Sequence, residues 1–345
     1  GRFIKQGNLP GFLPFMVPSL QYKPCTRVEG ACGSGGMAIA TGIKSILAGC
    51  SHSVFVTGFE IQNIVKAVYG ADYLAGAAYF NGERKNGHAH FFPNIFSKRT
   101  GVYFAKYGAE KTRQALAQWF VNAIENARKS SKAQEHSNSA KNLMELGLTP
   151  PNPQLFLEHL NYFDCSKISD GASSLILADD EGLAKMGVDK KDCIEVIGFA
   201  MAEGNITAEP VDPSFMDTTA HVNRQVMNNT GLSINEIGLL ELHDCFTISG
   251  LLALEAIGAT NIGKGAEFIL EGQTKSKGNL PTNLSGGLIG FGHPTGATGV
   301  RQMVDLLHQF TNKAENQIKI NKEFGMMISM GGNDKSLSSF IVKRS

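Results

Sequence analysis

The chain has 345 residues, a formal net charge of +1 and 42% hydrophobic residues. That length supports one large domain or two ordinary ones, and the near-neutral charge leaves no basic footprint for nucleic acid. No apolar run approaches the roughly 18 residues of a membrane span, and Pro10, Pro14 and Pro18 interrupt any signal-peptide pattern at the start.

Residues 35–48 read as a helix that opens among glycines and stops near Gly49. Residues 54–60, VFVTGFE, follow as a short buried strand. More than a hundred residues then separate this strand from the next, at 172–178. Connections in compact α/β units are usually far shorter, so this interval is expected to be an inserted subdomain covering a site. It contains a clear amphipathic helix at 112–129, with Leu116, Trp119, Phe120, Ala123, Ile124 and Ala127 on one face. It also holds polar stretches and the proline cluster TPPNP at 149–153. Further strands are expected at 194–202, 237–244, 324–330 and 337–343, with helices at 247–258 and 297–310. Strands alternating with helices predict an α/β fold with a largely parallel sheet.

Four stretches could carry chemistry. Cys32 lies in RVEGACGSGG, among glycines at the opening of a helix. A helix N-terminus stabilises a thiolate, and the glycines let a substrate approach the backbone. A buried cysteine beside packing glycines fits the same residues equally well. His293 lies in GGLIGFGHPTGATGV, residues 286–300, just ahead of a helix. That position favours a neutral imidazole, suited to act as a base, although a glycine loop with a bystander histidine also fits. His243, Asp244 and Cys245 crowd the end of an apolar strand, where parallel sheets open their ligand crevices. Residues 329–334, SMGGND, read as a turn between the last two strands. Six cysteines occur with no C-x-x-C spacing, which points to reduced thiols and to no metal site.

In combination, the GACGSGG loop, the GGLIGFGHPTGATG loop and the late glycine pair resemble the thiolase family, in the same order and through most of the chain. Most thiolases carry Asn-Glu-Ala-Phe where this chain has His243-Asp244-Cys245-Phe246. They also carry a second catalytic cysteine in a C-x-G motif, which here reads Ser329-Met330-Gly331. Both departures resemble the thiolases related to sterol carrier protein, in which the cysteine of HDCF is thought to supply the missing thiol. Thiolases usually have two more strands and a helix before the nucleophile, whereas 31 residues precede Cys32, so an incomplete N-terminus is expected.

The resemblance implies two similar halves, each a five-stranded mixed sheet with helices, at 1–180 and 185–345. The inserted loop subdomain would span about 61–165. It implies Cys32 as the acyl-accepting nucleophile, His293 as its activator, Cys245 as the acid/base and His243 near an oxyanion site. The N–H groups of Cys32 and Gly331 would hold a second oxyanion, and Ser285 and Gly292 would contact substrate. The implied reaction is thiolytic cleavage of 3-ketoacyl-CoA, with coenzyme A as co-substrate, no permanent cofactor and no metal. A homodimer or homotetramer is implied, with no membrane insertion. Its expected location is intracellular: peroxisome or mitochondrion in a eukaryote, cytoplasm otherwise.

Three competitors share these residues. Cys32, His243 and His293 also follow the Cys-His-His order of ketoacyl synthases, although HDCF does not match their H-G-T loop. Cys32, Asp244 and His293 follow α/β-hydrolase order, but Ser34 stands where the nucleophile elbow needs glycine. A thiolase-like protein that binds acyl-CoA without turnover is the non-enzymatic reading.

Overall fold

The computed structural model describes residues 3–83, 90–151 and 158–345. Asn152 and Pro153 of the proline cluster lie outside the described residues. Six strands form two sheets: β1 (Ser53–Glu60), β2 (Gly171–Ala178), β3 (Ile194–Glu203), β4 (Ile237–Glu241), β5 (Phe324–Gly331) and β6 (Ser336–Arg344). The longer helices are α1 (Ser34–Leu47), α2 (Phe91–Tyr107), α3 (Ala109–Ala127), α4 (Asp217–Thr230), α5 (Thr247–Ala256) and α6 (Thr295–Phe310). No helix among the described residues is long and apolar enough to cross a membrane.

β1 and β2 pair in one sheet, and the other has the order β3-β6-β5-β4. Among these pairings only β4–β5 is parallel. The expected largely parallel sheet is thus corrected to a mixed one. The short turn after β5 forces β6 back antiparallel, and the long excursion between β1 and β2 leaves their directions free. The described strands also number two and four, where the resemblance implies five in each half. Next to β4, residues 281–283 supply a fifth segment reduced to a single bridge, Leu240 with Thr282. Its two hydrogen bonds are Leu240 N–H to the Pro281 carbonyl and Asn283 N–H to the Leu240 carbonyl, both 2.9 Å. Pro281 has no N–H to extend the ladder.

α1 and α6 lie between the two sheets. Ile39 and Ala40 of α1 and Val300, Met303, Leu306 and Phe310 of α6 share one buried cluster with Val56 of β1 and Leu239, Met327 and Phe340 of the second sheet. The two helices cross on glycine. A Cβ on Gly35 would meet the backbone nitrogens of Val300 and Gly299 at 2.7 and 2.8 Å. Backbone stands on both sides of that contact, so neither wall can yield alone. Gly35→Ala is expected to cost about 1–3 kcal/mol of stability by overpacking, read from urea unfolding. An unchanged midpoint would show that the helices separate more easily than their packing indicates.

A second buried cluster joins the inserted subdomain to the outer face of the four-stranded sheet. It contains Leu116, Trp119, Phe120 and Ile124 of α3, Phe96 of α2, Ile248 and Leu251 of α5, and Met330 of β5. The face expected on α3 is the face it buries.

Candidate active site

Cys32 sits in the 3-10 turn Ala31–Gly33 that leads into α1. Ala31 holds a left-handed φ of 52°. Its N–H donates to Glu29 Oε1 at 2.7 Å, and its carbonyl accepts from the Ser34 hydroxyl at 2.6 Å. These local bonds retain a conformation that a non-glycine residue rarely adopts. They also aim Cys32 out of the turn. The Cys32 sulfur accepts hydrogen bonds from the amides of Gly332 and of Cys32 itself. Burial nevertheless pushes its pKa up to about 12, with Glu60 and Glu29 raising it further. The stabilisation of a thiolate expected from the helix N-terminus is thus opposed: desolvation outweighs the two amides and favours the thiol form of Cys32.

His293 lies close to that sulfur, with one ring nitrogen within 4.8 Å of it. Its backbone pairs with Ile168 in a one-residue bridge, and its N–H donates to Ser169 Oγ at 2.9 Å. Nδ1 lies 2.8 Å from Thr298 Oγ1, and that hydroxyl donates its own proton to the Pro294 carbonyl at 3.1 Å. With the hydroxyl hydrogen directed at that carbonyl, the oxygen accepts from the ring, an assignment in which Nδ1 carries the hydrogen and Nε2 the lone pair. Nε2 is buried without a partner. Burial lowers the pKa of His293 to about 3, with the Arg301 charge adding to the effect, so the ring is neutral.

His243 and Cys245 leave the end of β4. The strand stops at Glu241, short of the expected Asp244, because Asp244 N–H turns back to the Leu242 carbonyl at 3.1 Å. The Asn283 side chain takes over both backbone groups of Leu242, at 2.9 and 3.1 Å. His243 is 3% exposed, its Nδ1 has no partner, and burial holds it well below the ordinary histidine pKa. Its ring meets that of His293 edge to face, with centroids 4.9 Å apart. A sulfur of Cys32 and one nitrogen from each histidine lie within 4.8 Å of one another. Cys245 is buried, with its sulfur 3.7 Å from Ser249 Oγ. Burial raises its pKa, and the charge of a Cys32 thiolate raises it further, which places the two sulfurs within electrostatic reach. Phe246 stacks on Phe96 of α2 at 4.5 Å.

Asp244 ties these pieces together. Its carboxylate accepts from the Trp119 indole N–H at 2.9 Å and from the Leu288 amide at 2.7 Å. One carboxylate thus joins the HDCF turn, helix α3 and the loop that leads to His293. Burial moves its pKa up to about 6, against the pull of these donors.

The remaining expected residues fall elsewhere. Ser329 is fully buried with an unpartnered hydroxyl, 2.9 Å from where a Cβ on Gly299 would stand. It faces the helix crossing, while its strand neighbour Met330 packs in the cluster of Cys245 and Phe246. Gly331 packs against the 30–33 turn, where a Cβ would overlap the Gly30 carbonyl. The amide bonded to the Cys32 sulfur belongs to the next residue, Gly332. Ser285 and Gly292 line a cavity of about 850 Å³ that neither Cys32 nor Cys245 lines. The Ser285 hydroxyl donates to Asp305 at 2.7 Å and accepts from Arg301 at 2.8 Å. Cys32 instead lines a second cavity of about 490 Å³, together with Glu29 and Glu60. Thr298 did not stand out in the sequence, and Asp244 and Gly332 stood out only as members of the HDCF string and the late glycine pair, without the partners found here. Thr298 had one usable signal, its place in the first turn of a helix that starts beside His293.

Comparison with known proteins bears on the family and the fold. Residues 201–344 match the family described as thiolase C-terminal domain-like. An acetyl-CoA acetyltransferase of Methanothermobacter thermautotrophicus is 31% identical over 346 residues, spanning 100% of this chain and 86% of that protein. Sterol carrier protein 2 of Oryctolagus cuniculus is 27% identical over 304 residues, covering 84% of this chain and 53% of its own length. Among solved structures, human mitochondrial 3-ketoacyl-CoA thiolase superposes with a TM-score of 0.69 at 16% identity, covering 98% of this chain and 83% of that one. The fold, the convergence of the Cys32 and His293 loops and this similarity over the full chain agree: the protein belongs to the thiolase family, in the branch of the sterol-carrier-protein type.

Proposed function

We propose that the protein cleaves 3-ketoacyl-CoA with coenzyme A, through an acyl-enzyme on Cys32. Membership of the superfamily makes it an acyltransferase. The observation that carries the finer reading is the meeting of the Cys32 sulfur with one nitrogen of His293 and one of His243 within 4.8 Å, with Nδ1 of His293 engaged by the Thr298 hydroxyl and its Nε2 left without a partner. In this reading Nε2 takes the thiol proton as the sulfur attacks the keto carbon. The carbon–carbon bond then breaks, and Cys245 gives its proton to the enolate carbon that leaves as acetyl-CoA or propionyl-CoA. The imidazolium of His293, with His243 beside it, faces the enolate oxygen. A second coenzyme A loses its thiol proton to the Cys245 thiolate and collects the acyl group. The amides of Cys32 and Gly332 face the tetrahedral oxyanion, and His293 returns its proton to the Cys32 sulfur. Division at about 180–185 and assembly as a homodimer belong to the same reading. Exposed Phe55 and Phe59 on β1 support an interface there.

Cys245 is the residue that separates this scheme from its rivals. Cys245→Ala is expected to form the acyl-enzyme from acetyl-CoA yet lose thiolysis of acetoacetyl-CoA by about 10²-fold or more. Cys245→Ser should be nearly as impaired, because the step needs acidity and not size. Wild-type thiolysis by Cys245→Ala would remove the basis of the scheme. The Cys-His-His convergence also suits a condensing enzyme, and decarboxylation of a malonyl thioester would favour that second reading.

A further inference from the structure

We propose that Cys32, His243 and His293 form an inhibitory binding site for a thiophilic divalent cation, above all zinc. One sulfur and two imidazole nitrogens meet within 4.8 Å. Thiolate and imidazole are the donors that zinc prefers, and three protein ligands with one open position is a stable zinc arrangement. A tetrahedral zinc, with bonds of about 2.3 Å to sulfur and about 2.0–2.1 Å to nitrogen, sets its donors roughly 3.3–3.6 Å apart. The cluster needs to contract by about an ångström, within the range of side-chain rotation.

Two independent observations point to a ligand there. Nε2 of His293 and Nδ1 of His243 are both buried and unpartnered. A buried polar nitrogen without a partner is costly, and a cation would satisfy a lone pair that no protein group reaches. The Thr298 hydroxyl also fixes Nδ1 of His293 as the protonated nitrogen, as the outer partners of metal-binding histidines do. Access comes from the cavity that Cys32 lines, whose wall carries Glu29 and Glu60. These carboxylates favour a cation next to the sulfur.

Binding balances without an oxidant. The Cys32 S–H bond breaks, a sulfur–metal bond forms, and the proton leaves to solvent. A water molecule or chloride takes the fourth position. The groups engaged are the nucleophile and base of the proposed thiolysis, so the metal would block turnover; that consequence rests on the functional reading, whereas binding does not.

The test uses cobalt(II) on the reduced full chain, with Cys25, Cys50 and Cys193 replaced by serine. One equivalent should produce a sulfur-to-cobalt charge-transfer band and the visible bands of a tetrahedral site, and zinc should displace it. Cys32→Ala should lose the charge-transfer band. His243→Asn should weaken binding by about 10²-fold or more, and Thr298→Val by about 10–100-fold. In the unsubstituted protein, zinc should inhibit thiolysis in proportion to occupancy, with recovery on adding a chelator. The absence of any charge-transfer band in the folded parent overturns the site without reference to the variants. A band unchanged in His243→Asn does the same, and full turnover at full occupancy overturns the inhibition. A cobalt site in a protein with no thiolase turnover would leave the metal site standing and remove the thiolysis reading.

Discussion

Cys32→Ala is expected to lose turnover by about 10⁴-fold or more, because the step that stores the acyl group has no other acceptor. Labelled acetyl-CoA should mark the peptide holding Cys32 in the parent and mark nothing in the variant. The expectation is strong because the alternative thiols are badly placed. Cys25 and Cys50 are exposed at the surface. Cys165 is held well above the ordinary thiol pKa by burial and by Asp164. Among the described residues Cys245 feels the charge of a Cys32 thiolate, and its sulfur lies 3.7 Å from the Ser249 hydroxyl. Label on another cysteine, with Cys32→Ala still turning over, would overturn the assignment.

His293→Ala is expected to lose about 10²–10⁴-fold in turnover while keeping its fold and its affinity for coenzyme A. Burial and the Cys32 pKa together give this residue its weight. A thiol near pKa 12 cannot ionise unaided at neutral pH, so a base must take its proton during attack. The neutral ring offers its Nε2 lone pair, and the burial that keeps it neutral also weakens it as a base until a thiolate forms beside it. Thr298→Val should show a smaller loss of the same kind, since it frees the ring to choose the wrong tautomer. Full activity in His293→Ala would return the residue to a structural role. Unfolding of that variant would do the same, and circular dichroism distinguishes the two cases.

How much of this was legible depends on where the determining contacts lie. Every strand was visible as a short apolar run, and α3 was visible because its buried face is apolar. α2 was not, because its buried side includes Asn94, Ser97, Arg99 and Thr100. Arg99 is satisfied by Asn333 Oδ1 at 2.6 Å and by the carbonyls of Pro213 and Phe215 at 2.9 and 2.8 Å, partners more than a hundred residues away. α4 was hidden for a related reason. Its N-terminus is capped by Asp334, whose carboxylate accepts from the Thr218 and Thr219 amides at 2.9 and 3.0 Å. A cap borrowed from the β5–β6 turn leaves no local signature. The site followed the same rule. Cys32, His243, Cys245 and His293 stood out because each sits in an unusual local string. The burial of Cys32 and the contact of its sulfur with the Gly332 amide depend on packing and strand register, which a motif does not carry.

The backbone contact of α1 with α6 divides the site into parts that can move and parts that cannot. No side chain stands between Gly35 and Gly299 to rotate and change the spacing. Cys32 at the head of one helix and His293 at the head of the other therefore ride on a single stiff frame. Cys245 sits on a turn bound through Asp244 to Trp119, and so to the inserted subdomain. A shift of α3 would therefore reach Cys245 through Trp119 and Asp244 while leaving Cys32 and His293 in register. In the proposed scheme, addition of Cys32 to the keto carbon and protonation of the departing carbon would thus acquire different sensitivities to temperature, viscosity and the length of the bound chain, although they share one pocket.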